Sequence, residues 1–176
     1  MKLYLDLQNT ISSDSVPDKD SIESWVKQTL IEIKQDTDCE LTIRIVDKEE
    51  IRALNKTYRH KDKTTNVLSF PYEGFSFDVE AFSTNELSDE MDDSLLGDAS
   101  LPGDASLLGD IVICHDVVVE QAAEHNKTIT AHWAHMVVHG VLHLQAYDHI
   151  DDNEADLMES LEVLILNKLQ FADPYQ

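Results

Sequence analysis

Apolar and polar residues alternate in two short stretches of the N-terminal half, and helical spacing fills most of the remainder. Leu3, Leu5 and Leu7 share one side of the segment Lys2 to Leu7, and Leu41, Ile43 and Ile45 repeat the pattern. A period of two predicts a half-buried strand at each place. Between them Pro17 and Asp18 open a helix whose apolar stripe is Ile22, Trp25, Val26, Leu30 and Ile33, with Glu23, Lys27 and Lys34 outside. Asp47 with Glu50 three residues on reads as a capping box, starting a helix packed through Ile51, Leu54 and Tyr58. Val67 to Phe70 is a third strand, stopped by Pro71. Ile111 to Cys114, introduced by Gly109-Asp110, is a fourth, apolar throughout and therefore buried. Three helices follow: Val117 to His125, Thr128 to about Gln145, and Asp152 to Leu169. The last carries Leu157, Leu161, Leu164 and Ile165 at helical spacing, and its acidic start (Asp151, Asp152, Glu154) suits the positive end of a helix dipole. This order predicts a single α/β (α+β) domain over residues 1–176, a small, mostly four-stranded mixed sheet packed against helices.

One stretch breaks the pattern. Asp89, Glu90, Asp92 and Asp93 form an acidic cluster. Ser-Leu-Leu-Gly-Asp-Ala, Ser-Leu-Pro-Gly-Asp-Ala and Ser-Leu-Leu-Gly-Asp-Ile then run in tandem from Ser94 to Ile111. Three such units are too few for a solenoid. Residues from about 72 to 107 read as a duplicated, acidic loop insertion, with a partner-binding or RNA-shielding loop as the alternative.

Charge narrows the function classes. A formal net charge of −22 counts against a general nucleic-acid binder and against a DNA partner. The charge is uneven, however. Thr64 through Asn126 holds no Lys or Arg, whereas Arg52, Lys56, Arg59, Lys61 and Lys63 put five of the 13 basic residues into one strip. Such a strip can hold phosphates, with modest, salt-sensitive affinity. No apolar run nears the ~18 residues of a membrane span, and Met1 to Asn9 lacks the layout of a secretion signal. A cytoplasmic location is expected, and Cys39 and Cys114 read as reduced thiols.

The densest chemistry lies in His139-Gly140-Val141-Leu142-His143-Leu144-Gln145-Ala146-Tyr147-Asp148-His149. His139 and His143 are four apart and share one helix face. His149 joins them only if the helix stops and the chain turns back. Three imidazoles so arranged leave a fourth tetrahedral position open to water, a catalytic rather than a structural zinc pattern, although nickel or copper would also bind. The spacing equals that of the H-E-x-x-H-x-x-G-x-x-H zinc proteases, but Gly140 stands where their Glu base would be. That argues against peptide hydrolysis by the usual route, and Gly140 reads as a site of close backbone packing. His132 and His135 lie on the same stripe and read as packing residues, with a role beside the metal or RNA as the alternative. His115 and His125 read as surface residues. Asp148 could orient a ligand imidazole, act on a substrate proton, or cap a turn.

His-Gly-x-Leu-His-Leu-x-x-Tyr-Asp-His is very similar to the signature of the YbeY family, bacterial metal-dependent endoribonucleases of rRNA maturation. The resemblance extends over Asn55 to Pro71, Leu108 to Cys114, Ala131 to Ile150 and Asp173-Pro174-Tyr175. It implies one Zn2+ per chain on His139, His143 and His149, on a helix of the C-terminal half. It also implies that Arg59 faces the metal cleft, where a guanidinium fork suits two phosphate oxygens. Ser69 and Thr65 would add hydrogen bonds to the sugar-phosphate chain. The implied activity is a zinc-dependent, single-strand-specific endoribonuclease of 16S rRNA 3′-end maturation and ribosome quality control. The implied partners are single-stranded rRNA and the small ribosomal subunit with its assembly factors, with no membrane. Water and the ribose 2′-hydroxyl both remain open as nucleophile. The family usually has glycine where this chain has Ala146, and commonly aspartate where it has Asn66. Two rival readings are a metal-dependent hydrolase of another substrate and a non-catalytic ribosome-assembly factor with a structural metal.

Overall fold

The computed structural model describes residues 1–72, 105–147 and 152–176. Most of the expected insertion, and the expected roles of Asp148 and His149, therefore lie outside the described residues. The elements are β1 (Leu3–Asn9), α1 (Lys19–Glu32), β2 (Cys39–Val46), α2 (Lys48–Arg59), β3 (Val67–Pro71), β4 (Ser106–Cys114), α3 (His115–Glu124), α4 (Ile129–Leu144) and α5 (Asp152–Lys168). They form a single domain with a four-stranded mixed sheet in the order β1-β2-β4-β3. β1, β2 and β4 run parallel, and β3 is antiparallel to β4. Among the described residues, no helix is long and apolar enough to cross a membrane.

Strand alternation gives each sheet face its own helices. Leu5, Leu41, Ile43, Ile45, Ile111 and Ile113 belong to the larger core with α1, α4 and α5. Val46, Leu68, Val112 and Cys114 pack with Ile51 of α2 in a second cluster. Helix α4 touches β3, β4 and the helices α1, α3 and α5. It therefore buries Trp133, Val137, Val138, Val141 and Leu142 completely. Each such side chain contributes about 1.5–3 kcal/mol through burial. This central helix holds the paired histidines, so the best-packed element carries the chemistry.

Two glycines permit close approaches. A Cβ on Gly140 would lie 2.8 Å from Ile111 Cγ2, so α4 rides directly on β4. The expected packing role of Gly140 is thus borne out, and the Ser69 hydroxyl donates to its carbonyl at 3.2 Å, tying β3 to α4. Gly109 has φ +132° and sits where the β2–β4 register slips; a Cβ there would be 2.1 Å from the Phe70 carbonyl oxygen.

The structure corrects several sequence expectations. β4 starts at Ser106 rather than Ile111, because Ser106 and Leu107 already pair with Cys39 and Glu40. Asp47 caps α2 by accepting from the Glu50 amide at 2.9 Å, but Glu50 does not complete the box: its carboxylate accepts from Arg44 Nε at 2.8 Å. Tyr58 is 63% exposed and meets Phe70 edge-on. Among the described side chains of α5 the buried ones are Met158, Glu162, Ile165 and Leu166, while Leu157 and Leu164 face solvent. The stripe is rotated because its inward face includes a carboxylate, which has partners waiting in the interior.

Candidate metal centre

The end of α4 sets the site. Gln145 is the helix C-cap and Ala146 follows at φ +61°. The Ala146 amide donates to the His143 carbonyl at 3.1 Å and the Tyr147 amide to the Leu142 carbonyl at 3.1 Å, the two bonds of a Schellman stop. The left-handed turn that the motif demands is therefore made by alanine instead of glycine. An L-residue there costs about 1 kcal/mol. Ala146→Gly should raise the urea midpoint by an amount equivalent to roughly 0.5–1 kcal/mol; an unchanged or lower midpoint would show that the turn is unstrained.

His139 and His143 leave α4 on one face, with their Nε2 atoms 3.0 Å apart. Two nitrogens each ~2.0–2.1 Å from one tetrahedral zinc would be ~3.3 Å apart, so the pair fits a shared transition metal. They line a cleft of about 560 Å³ together with Arg59, Thr65, Asn66, Ser69, Ala146 and Tyr147. Of the sequence-predicted residues, Arg59, Thr65, Ser69, His139 and His143 thus meet in one cleft. Among the described residues, no acidic side chain lines it.

Arg59 reaches the cleft because α2 ends on it. His60 turns left-handed at φ +57°, and the Asn55 side chain, 2% exposed, donates to the Lys63 carbonyl at 2.7 Å to hold the loop that follows. In the same strip, Arg52 and Lys56 both bind Asp62, at 2.7 and 2.8 Å. Among the described residues no carboxylate pairs with Arg59, so it is available to a phosphate.

Asn66 occupies the position where aspartate is common, and its amide has a definite job. Its Oδ1 accepts from the Val67 amide at 2.8 Å, which turns its Nδ2 toward Gln121 Oε1 at 3.2 Å. Gln121 Oε1 is then an acceptor for His132 Nε2 at 3.0 Å. His132 is 4% exposed, and its Nδ1 has no hydrogen-bond partner. It is the packing residue expected, neutral and enclosed. Burial, with His135, His125 and Lys127 nearby, lowers its pKa to about 4 from an ordinary 6.5. At high pH both folded and unfolded chains carry it neutral. As pH falls through 6.5 the unfolded chain takes the proton first, so stability drops until about pH 4. Between pH 7 and 5 this group should cost about 2 kcal/mol. Urea unfolding of the wild type and His132→Gln at both pH values should show a difference in pH dependence of about that size; parallel curves would exclude His132 as the cause.

His115 is not the surface residue expected. Its Nδ1 meets Asp116 Oδ1 at 2.8 Å and its Nε2 meets Ser15 Oγ at 2.7 Å, beside Trp133. His125 is exposed, as expected.

Sequence reasoning missed Glu162. It is wholly buried; Oε1 lies 2.7 Å from His139 Nδ1, and Oε2 lies 3.3 Å from His135 Nε2 and accepts from the Tyr175 hydroxyl. Burial pushes this carboxyl up, but hydrogen bonds and charge from His135 and His139 outweigh it and hold it at about 2. Burial, then the neighbouring Glu162, pushes the Tyr175 phenol up. His135, His139 and Glu162 form a group able to hold a metal ion, one ligand atom from each within 4.8 Å of the others. The one signal in the chain was Glu162 standing between Met158 and Ile165 on a helical stripe, where an acid has no reason to be unless something inside receives it.

The chain matches the family model described as endoribonuclease YbeY over residues 6–170. Its fold is also similar to the solution structure of TM1509 from Thermotoga maritima, with 22% sequence identity, a TM-score of 0.51 and 99% of each chain covered.

Proposed function

The chain belongs to the YbeY endoribonuclease family, and from that premise we propose that it is a zinc-dependent endoribonuclease cutting single-stranded rRNA, acting in 16S 3′-end maturation and ribosome quality control in the cytoplasm. One catalytic domain spans residues 1–176, with the acidic segment between β3 and β4 as a loop insertion, shorter at its C-terminal end than 72–107 because Ser106 and Leu107 belong to β4. His139, His143 and His149 hold the ion. The observation that carries this reading is the pair of Nε2 atoms 3.0 Å apart in a cleft shared with Arg59 and bare of acidic side chains among the described residues.

When bound, the ion supplies Lewis acidity to a phosphoryl oxygen and lowers the pKa of a water. Arg59 presents its guanidinium fork to the phosphate and offsets the charge that builds on phosphorus-bound oxygens. Thr65 and Ser69 hydrogen-bond the sugar-phosphate chain, although Ser69 already donates to Gly140 and must share its hydroxyl. Asp148 orients a ligand ring or handles a substrate proton. Single strands are favoured because a walled cleft admits one backbone with splayed bases more readily than a rigid A-form duplex. The partners are single-stranded rRNA and the small subunit with its assembly factors.

With a net charge of −22, binding rests on a few local contacts and should be modest and weaken with salt, with a slope set by that small number of contacts. Zinc-loaded protein should cut a single-stranded rRNA fragment, leave its duplex form intact, and stop when the metal is chelated. Cleavage of a peptide or ester panel with RNA untouched would favour a different hydrolase. A 2′-deoxy substitution at the cut position separates the nucleophiles: loss of cleavage assigns the ribose hydroxyl, retention assigns water.

A further inference from the structure

We propose that Glu162 and Tyr175 form a buried brace that fixes the ring orientation and tautomer of His139, positioning this ligand for the metal rather than binding the metal themselves. The inference rests on the proposed site at His139, His143 and His149.

A carboxylate without exposure is costly to bury unless its oxygens are satisfied. Both oxygens of Glu162 are: Oε1 by His139 Nδ1 at 2.7 Å, Oε2 by the Tyr175 hydroxyl and more loosely by His135 Nε2 at 3.3 Å. An ionised carboxylate only accepts, so the proton sits on His139 Nδ1. A neutral imidazole protonated at Nδ1 carries its lone pair on Nε2, the atom that approaches His143. The bond to Glu162 therefore selects the tautomer that can coordinate an ion beside His143. The same bond argues against an ion among His135, His139 and Glu162, because such an ion would have to displace the Nδ1 proton and would turn the lone pair away from His143.

The brace is anchored by the C-terminal tail. Asp173 Oδ1 accepts from the Tyr175 amide at 2.8 Å, Pro174 is buried, and Phe171 meets Trp25 edge-on at 6.0 Å. The Tyr175 ring also stands edge-on to His135 at 5.7 Å. The last residues of the chain thus set the geometry of a ligand on α4.

Two variants test this. In Glu162→Gln the amide can turn its NH₂ toward His139 and favour the Nε2-protonated ring; Tyr175→Phe keeps the carboxylate and removes one donor. Zinc affinity, measured by competition with a chromophoric chelator, should weaken about 10–100-fold in Glu162→Gln and by a smaller factor in Tyr175→Phe. In metal-free protein at pH ~8.5, where free imidazoles are neutral, the ¹⁵N shifts of His139 should report Nδ1–H in the wild type and a mixture in Glu162→Gln. Unchanged affinity and tautomer in both variants would overturn the brace. Loss of stoichiometric zinc in Glu162→Gln with full retention in His143→Ala would make Glu162 a ligand and overturn it equally. Should Glu162→Gln fail to fold, zinc affinity and the His139 tautomer in Tyr175→Phe decide. If RNA cleavage is absent from the wild type while both shifts are seen, the endoribonuclease reading fails and the brace stands.

Discussion

His143→Ala is expected to take bound metal from one equivalent per chain to near zero and to reduce RNA cleavage to background, a loss of at least about 10³-fold. The size follows from the small donor set. Three imidazoles make the proposed cage, and removing one leaves two, which hold zinc too weakly to survive dialysis against a chelator. His143 is only partly buried at the cleft edge, so the variant should remain folded, which far-UV circular dichroism and a urea midpoint near that of the wild type would show. Metal analysis beside the ribonuclease assay separates the possibilities. Full metal retention with full activity would sink the histidine cage. Full retention with lost activity would place the ion elsewhere, with His135, His139 and Glu162 the competing group.

Arg59→Ala should leave metal content and stability unchanged and lower cleavage by about 10²–10³-fold, the usual effect of removing one donor aimed at developing charge. The residue is exposed and unpaired among the described residues, so its loss disturbs no packing. Arg59→Lys should recover part of the rate, since the charge returns without the planar fork. The salt dependence of binding should flatten by about one counterion in the alanine variant. A normal rate in Arg59→Ala would show that the arginine is only a solvated helix end.

Local physics made much of the fold readable in advance. Asp18 and Asp47 cap helices where their side chains can reach an amide, at 2.7 Å to Ser21 and 2.9 Å to Glu50. The alternation of Leu41, Ile43 and Ile45 became a core strand with none of the three exposed. The end of α4 near Gln145 was legible as well, whereas the left-handed turn at Ala146 was implied only by the glycine that the family usually has at that position.

Glu162 was not legible in that way. On α5 the leucines at 157, 161 and 164 have the same helical spacing as Met158, Glu162 and Ile165, and periodicity alone does not say that the stripe with the glutamate takes the interior. That depended on His135, His139 and Tyr175 converging from another helix and from the tail. His115 was misread for the same reason, since its partner Ser15 is 100 residues away in the chain.

What the sequence determined alone was therefore periodicity and spacing: two histidines on one helix face, the caps, the apolar strands and the glycine at 140. What only the tertiary structure decided was which polar groups meet across elements. Apolar burial needs no particular partner and follows from pattern, whereas a buried charge is tolerated only where specific donors from distant segments surround it.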